Sequence, residues 1–269
     1  MARARKRPVR LAAAAVAAVA AVVLSANASG GQTPVVDSTA PLQHLHVNAS
    51  TLAPGQFVYQ TTLERDSGTA VLGFRTVSVT PAQYGGAPAW LLLETRIGDG
   101  IPASDSLFAG FADLHPIHWS STLGEARLGA EFRGDTLFGG TTAPAGRRSM
   151  IAAVPSGTLV NAAMLETILR LLPLQAGWED STTMLSVSLN GNVVLPARLA
   201  VIGEDRVRVP AGTFDCWVVA VHADPARGLY WVTKRDPIVV RSSVDVPAMG
   251  RGTDGGGAQM ISGLTRISR

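Results

Sequence analysis

The residues that decide the fold are 206–219, which read RVRVPAGTFDCWVV. Apolar residues alternate with other residues on both sides of Pro210-Ala211-Gly212-Thr213, as expected for two strands with one buried face. Proline fixes φ at the first central position of a turn, and glycine accepts a positive φ. The stretch therefore predicts a short hairpin in which Val207 and Val209 pair with the strand that begins at Phe214.

Strand signals continue outward from this hairpin along most of the chain, between turns rich in Gly, Pro, Asn and Asp. The predicted strands are residues 57–65, 69–80, 89–97, 114–123, 125–132, 148–154, 184–189, 193–202, 206–209, 214–222, 229–235, 238–244 and 259–267. They do not alternate with helices. The pattern predicts a mainly-β fold, a curved antiparallel sheet or incomplete β-barrel of about 11–13 strands.

One segment departs from the strand pattern. Residues 159–172 place apolar side chains three and four positions apart, contain no Gly or Pro, and stop at Pro173. This spacing predicts one amphipathic helix that packs its apolar stripe on a face of the sheet. We interpret Met164 and the neighbouring Leu and Ile residues as ordinary core.

The stretch from Val201 to Trp217, together with Tyr230-Trp231-Val232 and Pro237–Arg241, resembles a motif of an uncharacterised exported bacterial family, "domain of unknown function 3108". Leu171–Leu174 with Gly177 is similar to its helix-to-strand junction, so the resemblance covers about residues 159–244. It implies the incomplete-barrel fold of lipoprotein-localisation carriers, in which a curved sheet with helices holds acyl chains. The family has no assigned catalytic residues.

The motif residues allow a structural and a ligand-binding interpretation. In the first, Pro210, Gly212, Thr213 and Phe214 specify the hairpin. In the second, the aromatic and basic side chains near it contact a ligand, with Trp217 and Trp231 close together on adjacent strands and an arginine stacked on one of them. The candidate ligand-binding residues are Phe214, Trp217, Tyr230, Trp231 and Arg241.

The N-terminus has the three parts of a secretory signal peptide. Five basic residues within Met1–Arg10 precede fourteen apolar residues, Leu11–Leu24, and small residues allow cleavage after Ala28. The apolar run is shorter than the roughly 20 residues that span a bilayer, so we expect no stable transmembrane anchor. We expect export to a periplasm or the exterior, a flexible tether over 29–50, and one domain over 51–269.

The charge balance argues against a nucleic-acid partner. Removal of residues 1–28 takes away five basic residues and no acidic one, which leaves 18 basic against 20 acidic residues. Without a basic stripe with interleaved aromatic residues, nucleic-acid binding is not expected.

No catalytic constellation is visible in the sequence. The histidines, His44, His46, His115, His118 and His222, do not form a three-ligand zinc pattern. Cys216 and His222 would lie about 20 Å apart on one extended strand. No Gly-x-Ser-x-Gly turn, phosphate-binding loop or dinucleotide fingerprint occurs. We therefore expect neither an enzyme nor a cofactor nor a metal.

These observations give a ranked set of function hypotheses. The first is an exported, non-enzymatic protein that binds an acyl chain, lipid or lipoprotein in a half-barrel cavity. The second is an envelope interaction module that docks a protein through a sheet edge or face. The third is a hydrolase or metal enzyme whose site is assembled from distant residues.

Overall fold

The computed structural model describes residues 45, 47–98, 102–144, 146–155, 157–188, 191–224, 226–246 and 258–269. The predicted signal peptide, 1–28, and most of the predicted tether, 29–50, lie outside these residues. Leu45 and Ala49, near the end of the predicted tether, are buried against the core. The amide of Ala49 also donates to the carbonyl of Ala112.

The described residues form fourteen strands in one antiparallel sheet and one α-helix. The strands are β1 (Gly55–Arg65), β2 (Gly68–Tyr84), β3 (Ala87–Gly98), β4 (Ala103–Gly110), β5 (Pro116–Leu123), β6 (Ala126–Arg133), β7 (Thr136–Ala143), β8 (Gly146–Ala153), β9 (Glu179–Ser188), β10 (Gly191–Val209), β11 (Gly212–Ala223), β12 (Ala226–Thr233), β13 (Val239–Val246) and β14 (Ala258–Ser268). The helix is α1 (Ala162–Leu169). The predicted mainly-β class, open sheet and single helix are confirmed.

The strand order is β8-β7-β6-β5-β4-β3-β2-β1-β14-β13-β12-β11-β10-β9, so almost every pair of neighbours is also consecutive in sequence. The sheet curls until its two ends pack together. Leu137 on β7 and Met150 on β8 share one core cluster with Leu185 on β9 and Leu199 on β10. The ends are not joined by a strand ladder, which leaves an incomplete barrel.

A short segment covers the free edge of β9. Leu159 forms a parallel bridge with Met184: its amide donates to Thr183 O over 2.8 Å, and the amide of Leu185 donates to Leu159 O over the same distance. Because an uncovered edge strand can pair with other chains, this segment protects the end of the sheet.

The predicted set of strands is wrong at three places. β4 and β7 were not predicted, and β10 is one long strand rather than the two predicted pieces. Asp105 and Ala109 occupy inward positions of β4, and Gly139 occupies an inward position of β7. Polar and small residues at buried positions hide the alternation that identifies a strand.

Helix α1 lies inside the curl of the sheet. The carboxamide oxygen of Asn161 caps it by accepting from the amide of Met164 over 2.8 Å. The helix is shorter than the predicted 159–172, and every residue of Ala163–Leu169 is buried, including the polar Glu166 and Thr167. The prediction of a core role for Met164 is confirmed. The prediction of a helix with one face on the sheet is incomplete, because the sheet surrounds it.

Candidate ligand-binding cleft

A network of buried charges connects α1 with β2 and β3. Arg75 on β2 donates from Nη1 to Glu94 on β3 over 3.3 Å, and from Nη2 to Glu166 on α1 over 2.5 Å. Arg96 adds a second partner for Glu94, with Nε 2.6 Å from Oε1. The side chains of Arg75, Glu94 and Glu166 are at most 5% exposed. Alternation along β2 and β3 turns these residues toward the helix.

The pKa values of the two carboxyl groups in this network are shifted in opposite directions. Burial raises the pKa of Glu166, and the attraction of Arg75 only partly opposes this effect. Burial also acts on Glu94, but Arg96 and Arg75 outweigh it and hold the pKa of Glu94 below its usual range. Arg75 remains charged, because both carboxylates raise its pKa more than burial lowers it.

A partly open cleft lies beside this network at the C-terminal half of α1. Its cavity of about 10 Å³ has room for about one water molecule. Apolar side chains form most of the wall, and polar side chains of α1 and β1 form the rest. The lining residues are Phe57, Tyr59, Val77, Val79, Glu166, Thr167, Arg170, Ile238 and Val239.

Two buried polar atoms of the cleft residues have no hydrogen-bond partner: Glu166 Oε2 and Arg170 Nη1. Buried polar atoms are nearly always paired, so unpaired ones call for an explanation. Tyr59, in contrast, is satisfied, because its hydroxyl donates to Val239 O over 2.9 Å. The guanidinium of Arg75 also lies over the Tyr59 ring, 4.5 Å from its centroid.

Arg170, just after α1, is held in place by backbone carbonyls. Its Nε donates to Pro237 O over 3.3 Å and its Nη2 to Ala53 O over 3.2 Å. The guanidinium lies 4.8 Å from the centroid of the Phe57 ring. Burial lowers the pKa of Arg170, Tyr59 opposes this effect, and the positive charge of Arg269 adds to it. Among the described residues, Arg170 forms no ion pair with a carboxylate.

The five ligand-binding candidates from the sequence are divided between two faces of the sheet. Trp217 and Tyr230 pack against the core cluster that contains α1. Trp217 pairs across the strands with Val232, so these two side chains share a face. Trp231 is the neighbour of Val232 in sequence and therefore lies on the opposite face. The two tryptophans are on adjacent strands, as predicted, but their rings do not share a site.

Arg241 stacks on Trp231, and the guanidinium carbon lies 4.9 Å from the ring centroid. The indole of Trp231 donates to Asp205 Oδ2 over 2.9 Å. Phe214 packs at the base of the nearby hairpin turn, in the same cluster as Trp231. Trp217 instead makes a cation–π contact with Lys234, whose Nζ lies 4.1 Å from the centroid of the indole ring.

The motif residues Pro210, Gly212, Thr213 and Phe214 lie where β10 turns into β11. Gly212 pairs with Val209 at a φ of 144°, a value that favours glycine. The amide of Ala211 at the tip donates to Leu264 O over 3.0 Å, which ties the hairpin to β14. These residues therefore form a structural hairpin in this fold.

A family model described as "Protein of unknown function (DUF3108)" matches residues 48–250. The chain belongs to the DUF3108 family. The resemblance read from the sequence is thereby confirmed and extends further toward the N-terminus than residues 159–244. No curated protein matches this DUF3108 chain. A solved structure that is similar to it is the crystal structure of a DUF1329 family protein from Desulfovibrio piger, with 9% identity, coverage of 81% of this chain and 86% of that chain, and a TM-score of 0.26.

A second polar contact holds the N-terminal end of α1 in this DUF3108 protein. Asp105 on β4 accepts at Oδ1 from the indole of Trp119 and, over 3.1 Å, from the amide nitrogen of Asn161, the helix cap. Burial raises the pKa of Asp105 to about 6, although both hydrogen bonds oppose the rise. The cap of the helix is thus coupled to a buried carboxyl group.

The histidines and the cysteine show other arrangements. His44 and His46 lie outside the described residues. His118 Nδ1 lies 2.8 Å from Glu131 Oε1, and Tyr84 donates to the same oxygen. Cys216 is fully buried, and burial raises the pKa of its thiol to about 12. In the part of the chain that the structure describes, no three His, Cys, Asp or Glu side chains are placed to hold a metal ion.

Five polar residues around the helix were not predicted from the sequence: Arg75, Glu94, Asp105, Glu166 and Arg170. A signal existed for one of them, because Glu166 interrupts the apolar run MLETIL of the predicted helix. The other four needed the sheet register and the position of the helix. Within the described residues, no helix has the length and apolarity needed to cross a membrane.

Proposed function

We propose that this DUF3108 protein is an exported, non-enzymatic binder of a ligand with an acyl chain, such as a lipid or a lipoprotein, held in the concavity of the curled sheet. The observation that carries the proposal is the partly open cleft between α1 and the sheet, whose wall is mainly apolar. An apolar cleft with a few polar groups at defined positions is typical of small-molecule sites.

The cleft is too small for an acyl chain while α1 stays in place. Binding therefore requires α1 to shift and its buried apolar contacts to be replaced by contacts with the chain. An eight-residue helix is only marginally stable without tertiary packing, so α1 depends on the surrounding sheet. Support for its displacement comes from the two unpartnered polar atoms beside it, since their burial opposes the filled state.

The test is native mass spectrometry of the mature protein, exported and purified without detergent. We expect an adduct of lipid mass that is lost on denaturation, and an N-terminus at Ser29. Ile238→Phe, which adds volume to the cleft wall, should reduce the adduct, whereas Ile202→Phe at an exposed position of β10 should not. A bare polypeptide mass after incubation with envelope lipids and lipopeptides would refute the proposal.

A second candidate function is a protein-interaction module. Phe74 and Ile97 favour it, because they are cross-strand partners on β2 and β3 and remain 51% and 75% exposed. They lie on the face opposite Arg75 and α1. Replacing both with Ser should remove an envelope partner that co-purifies with the protein and leave lipid adducts unchanged. If the double variant keeps every partner of the wild type, this surface is not the docking site.

A further inference from the structure

Arg170 is the guanidinium group next to the cleft that has no carboxylate partner among the described residues. Arg75 and Arg96 pair with Glu94 and Glu166. A third buried carboxyl group, Asp105, accepts hydrogen bonds at the other end of α1. A guanidinium does not lose its proton in proteins, so Arg170 brings a positive charge to the cleft without an ion pair.

The position of Arg170 is fixed although its charge is unpaired. Two of its nitrogens donate to carbonyls of Ala53 and Pro237, which set the plane of the guanidinium. Its third nitrogen, Nη1, is buried and has no acceptor. A buried donor of a charged group that lacks an acceptor is costly, so an acceptor that enters the cleft would be bound strongly.

The neighbouring groups favour an anion over a cation as this acceptor. The charge of Arg269 acts on Arg170 and adds to the positive potential there. Glu166 is the cleft residue that could attract a cation, but its Oε1 already forms an ion pair with Arg75. Burial also raises the pKa of Glu166, which disfavours its charged form. Its unpartnered Oε2, when protonated, donates a hydrogen bond to an incoming anion.

The remaining wall of the cleft specifies the rest of the ligand. Phe57, Val77, Val79, Ile238 and Val239 are apolar and line the same cavity. A group that is charged at one end and apolar at the other matches this wall, whereas a free inorganic anion would leave it in contact with water.

We propose that the cleft beside α1 binds the carboxylate of a single-chain amphiphile, with Arg170 as the counterion and the alkyl chain against the apolar wall. This assignment rests on the proposed function, because it names the ligand class for the same site. The ligand carboxylate accepts from Arg170 Nη1, which the carbonyls of Ala53 and Pro237 hold in place, and the alkyl chain enters between α1 and the apolar wall.

The test compares dodecanoate, dodecanol and dodecyltrimethylammonium, each below its aggregation concentration, by calorimetric titration of the mature protein. A charge-assisted hydrogen bond corresponds to about a tenfold gain in affinity, so we expect dodecanoate to bind about tenfold more tightly than dodecanol. The cationic analogue should bind more weakly than dodecanol. Arg170→Gln should remove the preference for dodecanoate over dodecanol.

Two further variants separate this assignment from a general effect of charge or folding. Arg170→Lys keeps the charge and should keep part of the preference. Arg198→Gln, at an exposed arginine of β10 that pairs with Glu179, should behave like the wild type. If Arg170→Gln does not fold, the relative affinities of the wild-type protein for the three ligands still test whether the cleft prefers a carboxylate.

The outcomes distinguish this inference from the function on which it rests. Equal affinity for dodecanoate and dodecanol would overturn the assignment to a carboxylate while leaving the acyl-binding function in place. A folded Arg170→Gln variant with an undiminished preference would overturn the role of Arg170. Binding of none of the three ligands would refute the acyl-binding function as well.

Discussion

Replacing Asp105 with Asn should remove one identifiable contribution to the pH dependence of stability. The carboxyl group has an ordinary pKa of 3.8 and a folded-state pKa of about 6, raised chiefly by burial. Because the folded-state value is higher, the stabilising contribution of Asp105 is complete below pH 3.8 and is lost as the pH rises through 6. A rise of about two pKa units corresponds to a change of ~3 kcal/mol in the free energy of unfolding.

The substitution is well suited to this site because both donors to Asp105 reach the same oxygen. The indole of Trp119 and the amide nitrogen of Asn161 donate to Oδ1, and an Asn side chain keeps a carbonyl oxygen that accepts both. Asp105→Asn should therefore retain the link to the helix cap and remove the titration. Above the folded-state pKa, we expect the variant to be more stable than the wild type, by up to ~3 kcal/mol.

The assay is urea unfolding of the mature protein at a series of pH values that bracket the two pKa values of Asp105. Asp66→Asn, at an exposed turn position between β1 and β2, controls for the loss of a carboxyl group. Over this interval the stability of Asp105→Asn should rise with pH relative to that of the wild type and of Asp66→Asn. Parallel curves for Asp105→Asn and the wild type would show that Asp105 is not the titrating group.

Three further predictions concern the core and the hairpin. Gly212→Ala should destabilise the protein by about 1–3 kcal/mol because φ at this position is 144°, and an unchanged urea midpoint would mean that the turn relaxes freely. Arg75→Met should cost about 3–5 kcal/mol by leaving the buried Glu166 without an ion-pair partner and Glu94 with Arg96 alone, and Glu166→Gln should cost less. If both substitutions prove equally mild in urea unfolding, the buried network is not a coupled unit. Cys216, with a thiol pKa of about 12, should react with a disulfide reagent only when the protein unfolds; rapid absorbance change under native conditions would contradict its burial.

Much of the fold could be predicted from the sequence because most strands have one buried face. The hairpin around Gly212 is the clearest case, since Val207 pairs with Phe214 as its pattern predicts, although the second strand begins at Gly212, two residues earlier than predicted. Prediction failed at β4 and β7, where Asp105 and Gly139 replace large apolar residues at inward positions. At Gly139 the β-carbon of a larger residue would approach Gly129 O to 2.4 Å, so the close contact between strands requires the residue that hides the pattern.

The cleft could not be predicted because its residues are joined by contacts that are distant in sequence. Arg170 bonds to carbonyls 117 and 67 residues away, at Ala53 and Pro237. The pairing of Arg75 with Glu94 depends on the register of β2 and β3. The sequence instead indicated the aromatic residues near the motif as ligand-binding candidates, and the structure places them on two different faces of the sheet.

Helix α1 combines apolar burial with a small number of polar attachments, and this combination favours a change of position. Apolar packing holds the helix without fixing one orientation, whereas hydrogen bonds and ion pairs specify orientation. Asn161 attaches the start of the helix to Asp105, Glu166 attaches the middle to Arg75, and Arg170 attaches the end. When α1 moves outward about the end held by Arg170, Asn161 and Glu166 can reach water, and Arg75 keeps Glu94 as its partner. An acyl chain can replace the apolar contacts that the helix leaves. The polar attachments, rather than the apolar contacts, therefore set the cost of displacing α1.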